Sequence, residues 1–400
     1  MTDRDRAMDR DAASGHPAAN GRIASAWEPR TDSGLPIPRL PPLAPVPHGG
    51  PDYAELAALG IRPESLLDFS VNGNPLGPSP RALRALELVD PARYPDTDAL
   101  RLRAGLAAEH DVDPGAVLAG NGSVELIWLL ADAYLAPGDR ALVVGPTFGE
   151  YAAAARRRGA VVVDVAGLAE HGFRASLDII RGQLAAVRPR LVFICNPNNP
   201  TGHLRPLGEL AAILDACGEA LVVVDEAYLD FADGADSALG LRLDPRAVVL
   251  RSLTKNFGLA GLRLGYLVAH PDVVDALASA RPPWTVNAFA QAAGLAALDD
   301  REHLDAGRRI AREAKAFLVD GLTRLGLACL PSRTNYWLID VGDAARLRRD
   351  LLRRGILVRD CTSFGLPGHV RIAARPLDEC ERLLEVVGGL VSSGAVDGAR

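Results

Sequence analysis

An α/β fold, with a three-layer large domain built on a mainly parallel sheet and a smaller α/β domain, is what the order of apolar runs predicts for this 400-residue chain. Between about residues 115 and 270, short Val-, Ile- and Leu-rich runs recur: Ala141–Val144, Val161–Val165, Leu191–Cys195, Leu221–Val224, Val248–Leu250 and Leu264–Val268. They lack polar alternation, as strands do when both faces are covered. The stretches between them, such as Glu150–Arg158 and Leu207–Ala216, carry helical spacing and supply that cover. From about residue 285 a long helical stretch (Asn287–Leu325) gives way to short strands at Tyr336–Asp340 and Val370–Ala373. These alternate with helices at Ala344–Arg354 and Leu377–Val387, the pattern of the smaller domain.

The boundaries follow composition. Residues 1–47 are polar and then proline-rich, with seven prolines from Pro29 to Pro47, and read as a disordered arm. Residues 48–90 are assigned to the first part of the small domain and 91–285 to the large domain. Residues 286–390 complete the small domain, and 391–400 form a flexible tail.

Composition also excludes functions. A net charge of −6 leaves no basic face suited to nucleic acid. The longest apolar run, Leu126–Leu135, is broken by Asp132 and is too short to span a membrane. The amino terminus alternates Asp and Arg without an apolar segment, so no secretory signal is expected. Five cysteines without CxxC spacing indicate reduced thiols in a cytoplasmic protein, with no metal site.

Of 44 basic side chains only Lys255 and Lys315 are lysine. Arginine stays protonated and cannot form an imine, whereas lysine loses its proton and does. Lys315 lies in Arg-Glu-Ala-Lys-Ala, a helical surface pattern, and is expected to be solvated. Lys255 lies between an apolar run and a glycine-rich turn, and is the candidate for chemistry.

Four further segments carry polar groups at a helix start or at the ends of predicted strands. Gly120-Asn121-Gly122-Ser123-Val124-Glu125 feeds an apolar helix, whose free N–H groups suit a phosphate. Cys195-Asn196-Pro197-Asn198-Asn199-Pro200-Thr201-Gly202 follows a buried strand and opens at the carboxyl edge of the sheet, where α/β proteins bind ligands. Asp225 ends the most hydrophobic run and, once buried, needs a hydrogen-bonding or cationic partner. Arg251-Ser252-Leu253-Thr254-Lys255-Asn256-Phe257-Gly258 runs on to Arg263.

Taken together in order and spacing, Asn199, Asp225, Tyr228, Lys255 and Arg263 resemble the signature of fold-type I pyridoxal-phosphate enzymes of the class I/II aminotransferase superfamily, over about residues 48–390. The resemblance implies an enzyme with pyridoxal 5'-phosphate as cofactor. Lys255 would supply the amine that joins it, and Asp225 would hold the proton on its ring nitrogen. Asn199 and Tyr228 would face its ring hydroxyl. Its phosphate would be held by Ser123, Val124, Ser252, Thr254 and Arg263, and its ring stacked by Phe148. Tyr94 matches a tyrosine that reaches the neighbouring subunit's phosphate, which implies a homodimer.

Arg371 matches the arginine that grips a substrate carboxylate, and Arg359 one that holds a substrate phosphate, with an ion pair to Asp360 as its structural alternative. His48-Gly49-Gly50, the segment Leu67–Gly77, Pro283–Ala288 and Arg359-Asp360-Cys361 resemble the threonine-phosphate decarboxylase branch of cobalamin biosynthesis. Gly73 and Ser123-Val124 depart from that branch's usual residues. The expectation is therefore a decarboxylase acting on a small phosphorylated amino acid or amine. The alternatives are a histidinol-phosphate-type aminotransferase and, from another class, a non-catalytic cofactor-binding regulator.

Overall fold

A computed structural model describes residue 43 and residues 45–394. The arm expected over 1–47 lies outside these residues except for 43 and 45–47, and the tail expected over 391–400 lies outside them from 395 onward.

Thirteen strands fall into three sheets among the described residues. In chain order they are β1 (Leu67–Asp68), β2 (Val117–Asn121), β3 (Arg140–Gly145), β4 (Val161–Ala166), β5 (Leu191–Cys195), β6 (Leu221–Asp225) and β7 (Ala247–Ser252). There follow β8 (Leu264–Val268), β9 (Ala328–Cys329), β10 (Tyr336–Asp340), β11 (Ile356–Leu357), β12 (Arg359–Asp360) and β13 (His369–Ala373).

The large sheet has the order β2-β8-β7-β6-β5-β3-β4 and is parallel except for β8, which runs against both β2 and β7. Strands β5, β6, β7 and β8 are buried along their whole length, which explains their unbroken apolar runs. One face is covered by helices Gly122–Tyr134, Glu150–Arg157 and Pro271–Ala280, the other by Leu177–Val187 and Leu207–Ala216. The three-layer expectation holds.

Strand β2 was not among the runs read from the sequence. Ala119, Gly120 and Asn121 give it too little apolar bulk to stand out. The single helical stretch expected over Asn287–Leu325 is two helices, Ala288–Leu298 and Arg301–Arg324, parted at Asp299 and Asp300. Aspartate is a poor residue for a helix interior because its carboxylate competes for backbone N–H groups.

The second sheet, β12-β13-β10-β9, is antiparallel. It packs with the helices Arg301–Arg324, Ala344–Leu352 and Leu377–Ser392 around a core that includes Trp337 and Ile372. Strand β1 pairs in parallel with β11 and brings the segment after it toward the same region. No described helix is long and apolar enough to cross a membrane.

The reversed β8 decides how the parts meet. Its amino end, not its carboxyl end, lies beside the carboxyl ends of β2 and β7, through the pairs Asn121↔Leu264 and Ser252↔Gly265. Close approach there needs glycine: a Cβ on Gly265 would fall 2.5 Å from the Ser123 nitrogen and 2.8 Å from the Gly122 carbonyl carbon. Gly265→Ala is therefore expected to lower stability by about 1–3 kcal/mol. Gly182→Ala, in an open position of the helix Leu177–Val187, is expected to raise it by about 0.5–1 kcal/mol. Urea midpoints of the two variants check both signs.

Candidate functional site

Five parallel strands end at one edge of the large sheet, and the turns after them line a cavity of about 500 Å³. Every candidate residue except Tyr94 lines it: Ser123 and Val124 after β2, Phe148 after β3, Asn199 after β5, Asp225 and Tyr228 from β6, Ser252, Thr254 and Lys255 from β7, and Arg263 before β8. Arg359 and Arg371 enter from the second sheet. Tyr94 is 82% exposed and rests against Trp284, with ring centroids 4.9 Å apart, and this chain does not bring it to the cavity.

Asp225 is 4% exposed. Its Oδ2 accepts from the Tyr151 hydroxyl at 2.8 Å and its Oδ1 from the Ala227 backbone N–H at 3.0 Å. Burial pushes this carboxyl above the ordinary aspartate range, and the two donors restrain the rise. Among the described residues it forms no ion pair, so the cation such a group favours is not supplied by the chain.

Lys255 sits in the short helix Leu253–Asn256 that follows β7 directly. Its Nζ is 5.9 Å from the Tyr228 ring centroid. Burial, with the charges of Arg371 and Arg263, pushes its ammonium down to about 8, against the pull of Asp225. A lysine so placed is a ready nucleophile and base near neutral pH.

At the other end of the cavity, the turn into helix Gly122–Tyr134 meets Arg263. Gly122 has φ +77°, and a Cβ there would lie 2.6 Å from the Arg263 guanidinium. The Ser252 and Thr254 hydroxyls are 2.6 Å apart beside them. N–H groups at a helix start, two hydroxyls and an exposed arginine form a cradle for a phosphate. Together with the unpaired Asp225 and the low Lys255, this donor set fits pyridoxal phosphate.

Arg359 and Arg371 are directly opposed across β12 and β13. Like charges so placed repel unless an anion joins them, and burial together with Arg371 lowers the Arg359 guanidinium below its ordinary value. Arg371 donates to Asn199 Oδ1 and, at 2.6 Å, to the Ser70 carbonyl, while its Nε is buried without a partner. Arg359 donates to the Pro47 carbonyl at 2.8 Å and the Ser363 hydroxyl at 2.6 Å. The alternative ion pair with Asp360 is not formed; that carboxylate accepts from Thr362 instead.

Four lining or supporting residues were given no role from the sequence, although His48 and Asn72 lie in stretches it singled out. Tyr151 steadies Asp225 and stacks on Phe193 at 5.1 Å. Asn72 lines the cavity with neither amide atom partnered. Tyr336 lies beneath Arg371 and donates to the Asn198 carbonyl at 3.0 Å. His48 contacts Glu150 at 2.9 Å, and Trp128 donates to the same carboxylate at 2.7 Å. Tyr151 had one signal, its place three residues after Phe148 as the one aromatic of the helix Glu150–Arg157. Lys315 is not solvated as expected, because its Nζ donates to the Ser332 and Thr334 carbonyls at 2.6 and 2.9 Å.

Residues 64–387 match the family model for aminotransferase class I and II. The chain is 41% identical, over 90% of its length and 98% of the relative's, to a histidinol-phosphate aminotransferase of Symbiobacterium thermophilum. Its fold is similar to that of a histidinol-phosphate aminotransferase of Sinorhizobium meliloti, solved in complex with pyridoxal-5'-phosphate. That likeness has a TM-score of 0.79 at 23% identity, covering 92% of this chain and 99% of the other. An L-threonine-O-3-phosphate decarboxylase of Porphyromonas gingivalis is similar at TM-score 0.73 and 26% identity, covering 82% of this chain and all of the other.

Reaction of Lys255 with a small amine reagent in the ligand-free protein is expected to rise through a midpoint near pH 8. In Arg263→Gln that midpoint moves up, because a neighbouring positive charge has gone. Mass spectrometry of the Lys255 peptide across pH checks the direction.

Proposed function

The chain belongs to the class I and II aminotransferase family and is a pyridoxal-phosphate enzyme, and on that premise we propose that it transfers the amino group of glutamate to the keto partner of histidinol phosphate, and the reverse. The choice of amino transfer is supported by the 41% identity to a histidinol-phosphate aminotransferase, and the opposed pair Arg359 and Arg371 supports substrates with a phosphate or two anionic groups. A transaminase of this kind must accept two dissimilar substrates in one cavity. Glutamate brings two carboxylates, histidinol phosphate one phosphate and no carboxylate. Arg371, the more deeply buried of the pair, suits the α-carboxylate as a bidentate fork, and Arg359 suits the distal anion, carboxylate or phosphate.

This reading replaces the decarboxylase favoured by the sequence motifs. Similarity of 41% over nearly the whole chain to an aminotransferase outweighs 26% to a decarboxylase. The motifs that pointed to the decarboxylase bind a phosphate or shape the entrance, and both reactions need those features.

Pyridoxal phosphate, when bound, supplies the electron sink that makes a bond at the substrate Cα labile. The chain's residues do the rest. Lys255 Nζ would act as the base that takes the proton from the substrate Cα, helped by a proton affinity already lowered toward neutrality. Asp225 would keep a proton on the ring nitrogen, and Tyr151 holds that carboxylate in place. Asn199 and Tyr228 would face the ring hydroxyl, and Phe148 would cover the ring. Ser123, Val124, Ser252, Thr254 and Arg263 would hold the phosphate. Tyr94, exposed on this chain, would serve the site of a second copy, which makes the working unit a homodimer. A cytoplasmic setting fits this biosynthetic reaction.

The test is amino transfer by the cofactor-loaded protein. Histidinol phosphate and 2-oxoglutarate are expected to yield glutamate, with no CO₂ from L-threonine O-3-phosphate. CO₂ release without glutamate formation would restore the decarboxylase. Lys255→Ala is expected to abolish transfer, while Arg359→Gln raises KM for histidinol phosphate about tenfold or more and changes kcat less. Equal loss in both parameters would remove Arg359 from the binding role.

A further inference from the structure

A second cavity, of about 230 Å³, lies between the long helix Arg301–Arg324, the turn around Asp233 and the loop 332–335. Arg308, Arg312 and Lys315 face it from the helix, and Arg333 from the loop. The carboxylate on its wall is Asp233, which receives Arg308 at 3.1 Å and Arg312 at 3.1 and 3.2 Å. Arg333 is held by the Asp233 backbone carbonyl, at 2.8 Å, and leaves the carboxylate to the other two. Asp305, outside the lining, contacts Arg308 at 3.4 Å. Four cations thus share a small space with too little negative charge to balance them.

Three guanidinium groups and an ammonium lining the cavity offer several N–H donors at once. An anion with several oxygens, such as hydrogen phosphate, engages more than one of them together, whereas chloride is a single acceptor atom.

We propose that this cavity is a second anion site, separate from the candidate active site, that takes a compact oxyanion of the phosphate class. Lys315 reports on it directly. Burial and the charge of Arg333 push its ammonium down to about 8, so an anion beside it draws a proton back and slows reaction at Nζ. Its Nζ is held by the Ser332 and Thr334 carbonyls, and the charged groups that share the cavity wall with it are Arg308, Arg312, Arg333 and Asp233.

Since the chain has only two lysines, the experiment reads them separately by peptide mass. The cofactor-loaded protein is treated with cyanate in inorganic phosphate or in chloride at the same ionic strength. Phosphate is expected to slow carbamylation of Lys315 saturably, beyond the effect of chloride, and to move its pH midpoint up. Arg312→Gln combined with Arg333→Gln, both exposed positions, is expected to raise the half-saturating phosphate concentration about tenfold, with amino transfer unchanged. Equal slowing by chloride overturns the proposal, and so does a half-saturating concentration that the double variant leaves unaltered.

Discussion

A carboxylate buried without a cation of its own is the constraint around which this site is arranged. Removing Asp225 from water is unfavourable for its charged form, and two hydrogen bonds offset only part of that cost. A positively charged ring nitrogen, in the function proposed above, would complete the carboxylate's pairing. The neighbours are consistent with this. Tyr151, stacked on Phe193 and met edge-on by Phe148, has little freedom to withdraw its hydroxyl. Lys255 is near enough to feel the carboxylate but makes no ion pair with it, so its nitrogen remains available for chemistry. A lysine locked onto Asp225 would neutralise the charge and disable both groups.

The second sheet answers a different electrostatic problem. Arg359 and Arg371 are fixed by strand register, so their separation does not depend on loop conformation. Arg371 is further held by Asn199 and Ser70, which come from two other parts of the chain. Asn199 therefore joins the substrate arginine to the cofactor side of the cavity.

Much of this was legible in the residues. Lysine scarcity singled out Lys255, and the carboxylate at the end of an apolar run singled out Asp225, because each is costly unless it has work to do. The direction of β8 was not legible, since Leu264–Val268 reads the same whichever way the strand runs. Nor was the opposition of Arg359 and Arg371, which depends on the register of two short strands. Lys315 was misread because its helix pattern is that of a surface, while the carbonyls that hold it come from a loop beyond the helix end. The choice between transamination and decarboxylation escaped the motifs for a chemical reason: the residues they contain bind what the two reactions have in common.

The antiparallel β8 has a temporal consequence. It inserts between β2 and β7, and its partner Asn121 precedes it by more than a hundred residues. Until Leu264–Val268 has been made and threaded between its neighbours, Gly122 and Arg263 cannot meet, and the sheet has a gap beside β7. Such long-range closure is slow relative to local structure. The phosphate cradle thus depends on a contact between distant parts of the chain, and a phosphate bound there would draw the population toward the closed sheet by mass action.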